Sequence, residues 1–264
     1  MNGSANKSNG AAAGGSAPLR LMEMRMPHFE EALRRGAPAI IPTGSVEQHG
    51  AHLPYGTDTY TAELIAEGVA RRLGGYVLPF TPLGVTPIHM SFPGTITLKP
   101  QTFAALLTDV CESIIGHGAR HIVVINWHEG NIPAMQMVAS DIVRRTDARV
   151  ILVQACYVAE EMFGHEVGGL THGGEIEALP VLLYNPGLVA LDEARGSSER
   201  SRGEAMDRRR RSKGISVPVR DIREIAPTGW YGDPSPATEE KARRLFTALM
   251  DRIADEVRPL LHGE

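Results

Sequence analysis

The chain has 264 residues, of which 42% are hydrophobic and 22% are charged, and its formal net charge is −4. A chain of this length and composition can form one globular α/β domain with a sizeable core. The acidic balance argues against nucleic acid or an anionic membrane as a partner. No apolar run approaches the ~18 residues of a membrane span, and the N-terminus lacks a signal-peptide-like apolar region, so we predict a cytoplasmic protein.

Residues 1–18 are mostly Gly, Ala, Ser and Asn, with almost no bulky side chains. Such a segment buries too little apolar surface to offset the entropy lost on ordering it. We therefore predict a disordered tail at 1–18 and one folded domain at 19–264. The two cysteines, Cys111 and Cys156, form no paired motif, and we expect both at buried apolar positions in a reducing compartment.

Strand-like and helix-like segments alternate along the rest of the chain. The predicted strands are Ala39–Pro42, Tyr76–Phe80, His121–Asn126, Arg149–Tyr157 and an outer strand at Val217–Ile225. The predicted helices are Phe29–Arg35, Thr59–Leu73, Gln101–His117, Ile132–Arg145, Glu175–Leu183, the charged and exposed Ser197–Lys213, and Thr238–Leu261. The βαβα order predicts a single layered α/β/α domain with a largely parallel central sheet.

Three polar segments lie at predicted strand ends or helix starts: Ser45–Asp58, Asn126–Asn131 and Thr171–Glu177. Ligands of open α/β sheets bind in the crevice at the carboxyl ends of the strands. The three segments are therefore expected to converge on one site.

The converging side chains are imidazoles and carboxylates without thiolate, a set that suits zinc, manganese or iron. The candidate ligands are Glu47, His49, Asp58, His128 and Glu175. Five ligands with one shared carboxylate can hold two metals about 3.5–4 Å apart. Asp58 alone would also make a good helix N-cap, which is the simpler interpretation of that residue.

The motif Glu47-Gln-His49-Gly-x-His52-Leu-Pro-x-Gly56-Thr-Asp58 resembles the signature of the creatininase family of metal hydrolases. The segments 126–131 and 172–177 resemble its second and third motifs, and 229–234 resembles a weaker fourth. The resemblance implies a layered α/β fold and a homo-oligomer, often a hexamer.

The same resemblance implies roles for individual residues. Asp58 would bridge two divalent metals. Glu47 and His128 would complete the ligands of one metal, and His49 and Glu175 would complete those of the other. His172 would move protons between the water and the leaving nitrogen, as a general acid and base.

Two departures from creatininase concern the pocket and the substrate. Gly130 stands where creatininase has a metal-binding glutamate, as in other family members that use a later glutamate. Trp127 and Glu129 replace smaller residues and are expected to reshape the pocket. We therefore predict an amidohydrolase that cleaves an amide, cyclic amide or formamide C–N bond of a small molecule, with a metal-bound hydroxide as nucleophile. A peptidase acting on a modified peptide and a non-catalytic metal- or metabolite-binding protein are the alternatives.

Several other polar residues keep two interpretations. His52 is expected to orient a ligand rather than bind metal, and Glu177 to support a ligand rather than form a surface pair. Glu129 faces either solvent or the pocket mouth. The charge run 207–211 is expected to be a solvated helix face, and the loop 86–97, which contains His89, could cover the substrate or contact another subunit.

Overall fold

The computed structural model describes residues 19–194, 200–212 and 214–263. The tail predicted at 1–18 lies outside the described residues. The four strands are β1 (Ala39–Thr43), β2 (Tyr76–Val77), β3 (His121–Asn126) and β4 (Arg149–Gln154). They form one parallel sheet in the order β2-β1-β3-β4.

Eight α-helices connect and cover the strands in the described part of the chain. They are α1 (Met26–Arg34), α2 (Thr57–Leu73), α3 (Pro100–Gly116), α4 (Ile132–Arg145), α5 (Ala155–Phe163), α6 (Glu175–Tyr184), α7 (Arg200–Arg210) and α8 (Glu239–His262). In the described ranges, no helix is both long and apolar enough to cross a membrane.

Each face of the sheet carries its own apolar layer, because side chains alternate along a strand. Ile40, Val123 and Ile125 pack with residues of α2, α5, α6 and α8. Ile41 and Val124 belong to the other layer, with residues of α1, α3 and α4. The predicted α/β/α layering and parallel sheet are therefore confirmed.

Two strands differ from their predictions at the edges of the sheet. β2 ends at Val77 rather than Phe80, since Leu78 makes a last bond to Ile40 and Pro79 has no N–H to continue the pairing. β4 ends at Gln154, and 155–163 is a helix rather than more strand. β4 is an edge strand of the described sheet and is partly exposed.

The outer strand predicted at Val217–Ile225 is wrong. The segment contains a short 3-10 turn at Ile222–Glu224, closed by a capping box between Asp221 and Glu224. Its alternating apolar side chains include Val219 and Ile222, which pack with Tyr231 in a small cluster and not in a described strand. Periodicity alone could not separate these two arrangements.

The two cysteines lie in opposite apolar layers. Cys156 belongs to the layer that holds α5, and Cys111 to the layer that holds α3. Both are buried and free, which confirms the buried apolar positions predicted for them.

Candidate metal centre

The first two polar segments meet because β1 and β3 are parallel neighbours. Thr43 pairs with Asn126 at the last position of both strands, so the segments that follow leave the sheet at the same edge. Glu47 follows the first strand and His128 follows the second. Asp58 lies in the first turn of α2, where the helix dipole favours a carboxylate.

Glu47, Asp58 and His128 form one group that could hold a metal ion. His128 Nδ1 lies 3.0 Å from Asp58 Oδ2 and 3.4 Å from Glu47 Oε2. All three residues are buried. The structure therefore brings together the three residues expected around one metal.

A second group contains His49, His172 and Glu177. His49 Nε2 lies 3.6 Å from Glu177 Oε2 and 3.2 Å from Asp58 Oδ1. His172 Nδ1 lies 3.9 Å from Glu177 Oε2. The two oxygens of Asp58 thus face different imidazoles, His128 and His49, as a shared ligand requires.

Glu175, the predicted fifth ligand, lies elsewhere. Its Oε1 accepts a hydrogen bond from Lys241 Nζ at 2.6 Å, and it belongs to none of the metal-capable groups among the described residues. Residues two apart on a helix point about 200° away from each other, so Glu175 and Glu177 cannot face the same site. We predicted Glu175 as the ligand and Glu177 as its support, and the structure instead groups Glu177 with His49 and His172.

Two atoms at the centre fit a metal better than they fit the protein alone. His49 Nε2 and Asp58 Oδ1 are buried, and neither has a hydrogen-bond partner in the described part of the chain. They approach to 3.2 Å without the alignment of a hydrogen bond. Buried polar atoms are rarely left unpaired, and a cation between these two would satisfy both.

The carboxylates perturb the imidazoles strongly. Burial opposes the charged form of His49, but Asp58 and Glu177 outweigh it and raise the pKa to about 10. Burial likewise opposes the charge of His128, and Glu47 and Asp58 raise that pKa to about 9. Burial raises the pKa of Glu177. The carboxylates of the centre therefore favour positive charge beside them. Divalent cations can replace the imidazole protons that otherwise carry this charge.

Backbone carbonyls orient the two imidazoles. His49 Nδ1 donates to the Glu47 carbonyl at 3.1 Å, which leaves Nε2 facing the carboxylates. His128 Nε2 donates to the Val85 carbonyl at 3.0 Å, which leaves Nδ1 facing them. Metal-binding histidines commonly hold their second nitrogen in this way.

Sequence reasoning missed His89 as part of the centre. It lies on a 3-10 turn (Pro87–His89), is buried, and forms a third metal-capable group with Glu47 and His172. Its signal in the sequence was weak, because it stands in a loop broken by proline and glycine. Only the tertiary fold carries this loop over Glu47.

The centre opens into a cavity of about 430 Å³. Val85, Ile88, Pro133 and Leu170 contribute apolar surface, and the metal-capable residues that line the cavity are Glu47, Asp58, His89, His128, His172 and Glu177. A cavity of this size suits a small organic ligand.

The cavity is also lined by a second polar cluster, here called the arginine cluster: Glu129, Asp207, Arg210 and Arg211. Arg210 donates to Glu129, and Arg211 donates to Glu129 at 2.8 Å. Both arginines also pair with Asp207. Asp207 is buried and Arg210 and Arg211 are half-buried, whereas Arg208 and Arg209 are exposed, so the run 207–211 is only in part the solvated face that was predicted. Glu129 faces the pocket, the second of the two positions left open for it.

The remaining predicted pocket residues behave differently. Trp127 is buried against Phe246 in the core, with ring centroids 5.7 Å apart, so the expected effect of its indole on the pocket is wrong. A Cβ on Gly130 would lie 2.0 Å from the Val85 carbonyl, so only glycine fits there. His52 Nε2 donates to the Gly173 carbonyl at 2.7 Å.

Comparisons with known proteins agree with this geometry. The family model described as creatinine amidohydrolase (creatininase) matches residues 22–257. The mycofactocin precursor peptide peptidase of Mycobacterium ulcerans is 29% identical over 227 residues, covering 83% of each chain. The creatinine amidohydrolase of Pseudomonas putida is 29% identical over 245 residues, covering 83% of this chain and 88% of that one.

The fold is also similar to solved structures. A zinc–zinc form of a creatininase mutant superposes with a TM-score of 0.76 at 21% identity, over 93% of this chain and 99% of that one. At this identity the likeness is evidence for the fold.

Proposed function

The chain belongs to the creatininase family, and from that premise we propose that it is a metal-dependent amidohydrolase. It cleaves an amide, cyclic amide or formamide C–N bond of a small molecule. The observation that carries the proposal is the position of Asp58, whose two oxygens face His128 at 3.0 Å and His49 at 3.2 Å. A buried carboxylate shared in this way is the usual bridge of a two-metal hydrolase.

The proposed ligands form two sets that share Asp58. Glu47 and His128 complete one set, and His49 and Glu177 complete the other. Glu177 takes the place that the sequence had given to Glu175. The imidazole and carboxylate donors fit two divalent ions, either zinc, manganese or iron. The zinc–zinc form of the similar creatininase supports this choice.

When bound, the ions supply Lewis-acid activation of water and of the substrate carbonyl. The protein supplies the proton transfer through His172, which lines the cavity. Its Nδ1 faces Glu47 and Glu177, while its Nε2 is held by the Gln48 carbonyl at 2.8 Å. We assign to Nδ1 the proton that leaves the attacking water and passes to the departing nitrogen.

The apolar wall of the cavity determines how the substrate lies. Val85, Ile88, Pro133 and Leu170 cover the face of the bound molecule and exclude bulk water. The glycine at position 130 leaves this wall close to His128. A flat amide or lactam would fit against this apolar surface.

A peptidase is the second candidate, and two observations favour it. The relatives from mycobacteria are named as peptidases of a precursor peptide, and the cavity of about 430 Å³ is larger than a single small amide needs. The arginine cluster, which lines the same cavity, would then contact the peptide beyond the cleaved bond.

The experiment is a substrate panel on metal-loaded protein, with the Glu177→Gln variant beside the wild type. The panel contains cyclic amides, formamides and short peptides. Hydrolysis of the small amides by the wild type alone supports the amidohydrolase, and hydrolysis of peptides alone supports the peptidase. Full metal loading with no hydrolysis of any compound supports the non-catalytic binding protein and overturns both.

The predicted homo-oligomer, with a hexamer as one form, and the predicted cytoplasmic location stay proposals. Light scattering coupled to size-exclusion chromatography checks the first. A mass of one chain, about 28.6 kDa, would contradict it.

A further inference from the structure

Gln48 lies between two of the histidines of the centre. Its side-chain Nε2 is 3.1 Å from His89 Nδ1 and 3.2 Å from His172 Nε2. All three residues are buried, and the two imidazole rings lie 4.4 Å apart. An amide in this position controls which imidazole nitrogens carry hydrogen, because neutral imidazole has one donor and one acceptor nitrogen.

Two backbone groups fix the orientation of the Gln48 amide. The N–H of Gly50 donates to Oε1 at 3.0 Å, and the carbonyl of Gly229 accepts from Nε2 at 2.5 Å. A backbone N–H can only donate, and a carbonyl can only accept. The amide therefore cannot be flipped, and Nε2 is the atom that faces the imidazoles.

The tautomer of His172 follows from its own backbone partner. His172 Nε2 lies 2.8 Å from the Gln48 backbone carbonyl, which can only accept, so Nε2 carries the hydrogen. Nδ1 is then the bare nitrogen. It points to Glu47 Oε1 at 3.8 Å and Glu177 Oε2 at 3.9 Å.

His89 takes the same tautomer but faces the centre with its other nitrogen. One hydrogen of the Gln48 Nε2 is used on Gly229, and His172 Nε2 already donates elsewhere, so the second hydrogen goes to His89 Nδ1. Nδ1 of His89 must then be an acceptor, which leaves the hydrogen on Nε2. That N–H faces Glu47 Oε1 at 3.6 Å on the cavity wall.

We propose that Gln48 is a positioning residue that fixes the Nε2–H tautomer in His89 and His172, so that the two rings turn different nitrogens toward the centre. His172 presents a bare nitrogen to the centre and accepts the proton. His89 presents an N–H and donates a hydrogen bond to the negative charge that develops on the substrate oxygen. The two catalytic assignments rest on the proposed function, whereas the tautomers themselves do not.

The test is the ¹⁵N NMR of imidazoles in histidine-labelled protein, read without metal and again with zinc. Two-bond nitrogen–proton couplings distinguish an Nδ1–H ring from an Nε2–H ring. The wild type is expected to show Nε2–H in both His89 and His172, with His89 Nδ1 accepting from Gln48 and His172 Nδ1 free of hydrogen and facing the carboxylates. Both rings thus keep the hydrogen on Nε2 and differ only in which nitrogen faces the centre. An Nδ1–H on either ring overturns the proposal.

The Gln48→Glu variant shows whether the amide is the cause. A carboxyl group offers at most one hydrogen at the position of Nε2, and the Gly229 carbonyl takes it. His89 is then expected to move its own hydrogen to Nδ1, while His172 keeps Nε2–H on the backbone carbonyl. An unchanged His89 in this variant contradicts the proposal.

Two further variants serve as a control and as a second test of the Gln48 amide. Gln136→Glu makes the same chemical change at an exposed position of α4 and is expected to leave both rings as in the wild type. Gln48→Met keeps the volume and provides no hydrogen, so His89 is expected to lose its single tautomer even if Gln48→Glu folds poorly. A single, unchanged His89 tautomer in Gln48→Met overturns the role of the amide.

Kinetic measurements then test the proposed catalytic roles separately from the tautomers. On the best substrate of the panel, Gln48→Glu is expected to lower kcat by about 10²-fold with KM changed little, since a lost hydrogen bond to developing charge acts on the transition state. A change in KM alone contradicts the role given to His89. If the tautomers are as assigned and nothing is hydrolysed, the proposed function fails and the assignment of Gln48 stands.

Discussion

Two polar clusters line one cavity, and their charged groups find partners in different ways. The arginine cluster contains two carboxylates, Glu129 and Asp207, and two guanidinium groups that pair with both. The metal centre contains three carboxylates, Glu47, Asp58 and Glu177, surrounded by imidazoles.

The difference lies in which atoms are left over. In the arginine cluster each carboxylate is held by both arginines, and Tyr157 and Tyr231 add hydrogen bonds to Glu129 and Asp207. At the centre, His49 Nε2 and Asp58 Oδ1 have no hydrogen-bond partner in the described part of the chain. One cluster is complete as protein, and the other needs a cation. Burial and charge alone do not identify a binding site, whereas unpartnered polar atoms within a group of metal-capable side chains point to one.

Asp58→Asn should produce the largest effect. The amide keeps the volume, but one set of ligands loses its oxygen and the other loses the negative charge of Asp58. Hydrolysis should fall by about 10³-fold or more, since metal stabilisation of charge contributes several kcal/mol. Steady-state rates on the best substrate check this, with the exposed Asp109→Asn as the control. Activity within tenfold of the wild type would remove Asp58 from the centre.

Glu177→Gln and Glu175→Gln form a matched pair in the first turn of α6. The first should lower kcat by about 10²-fold, because one set of ligands loses its carboxylate. The second should leave the rate within a few fold and lower the free energy of unfolding by about 2 kcal/mol, since Lys241 loses its charged partner. Urea unfolding and kinetics measure the two effects. The reverse outcome would restore Glu175 as the ligand.

Glu129→Gln tests the completeness of the arginine cluster. The change removes one of two negative charges held by Arg210 and Arg211, and the free energy of unfolding should fall by about 2 kcal/mol after allowance for partial exposure. Metal content should not change. The exposed Glu161→Gln is the matched control. A loss of metal in Glu129→Gln would show that the two clusters are not separate.

Trp127→Phe should have the smallest effect on the site. The indole packs against Phe246 away from the cavity, so the variant should cost about 1–2 kcal/mol of stability through a small void. Metal content and substrate range should stay as in the wild type. Thermal unfolding and the substrate panel check both points, and a changed substrate range would return Trp127 to the pocket.

The sequence predicted the parts of the fold whose signals are local. β3 is a continuous apolar run, and its predicted bounds agree with the structure because burial on both faces leaves no alternation to misread. The 217–225 segment shows the opposite case. Its alternating apolar residues predicted a strand, although they pack against Tyr231 through a turn.

At the site, the sequence identified the motifs, and within the third motif we predicted Glu175 as the ligand and Glu177 as its support. Glu175 and Glu177 are both carboxylates at a helix start, and only the direction of α6 relative to α8 decides which one meets Lys241. His89 and the pairing of Glu129 with Arg210 depend on contacts between distant segments. No local pattern encodes such contacts.

The most direct measurement is the number of metal ions bound per chain, by elemental analysis after reconstitution and dialysis. Our account predicts about two ions in the wild type and in Glu175→Gln, about one in Glu177→Gln, and none in Asp58→Asn. Equal metal content in all four proteins, or a wild type without metal, would contradict the shared centre on which the proposed function depends.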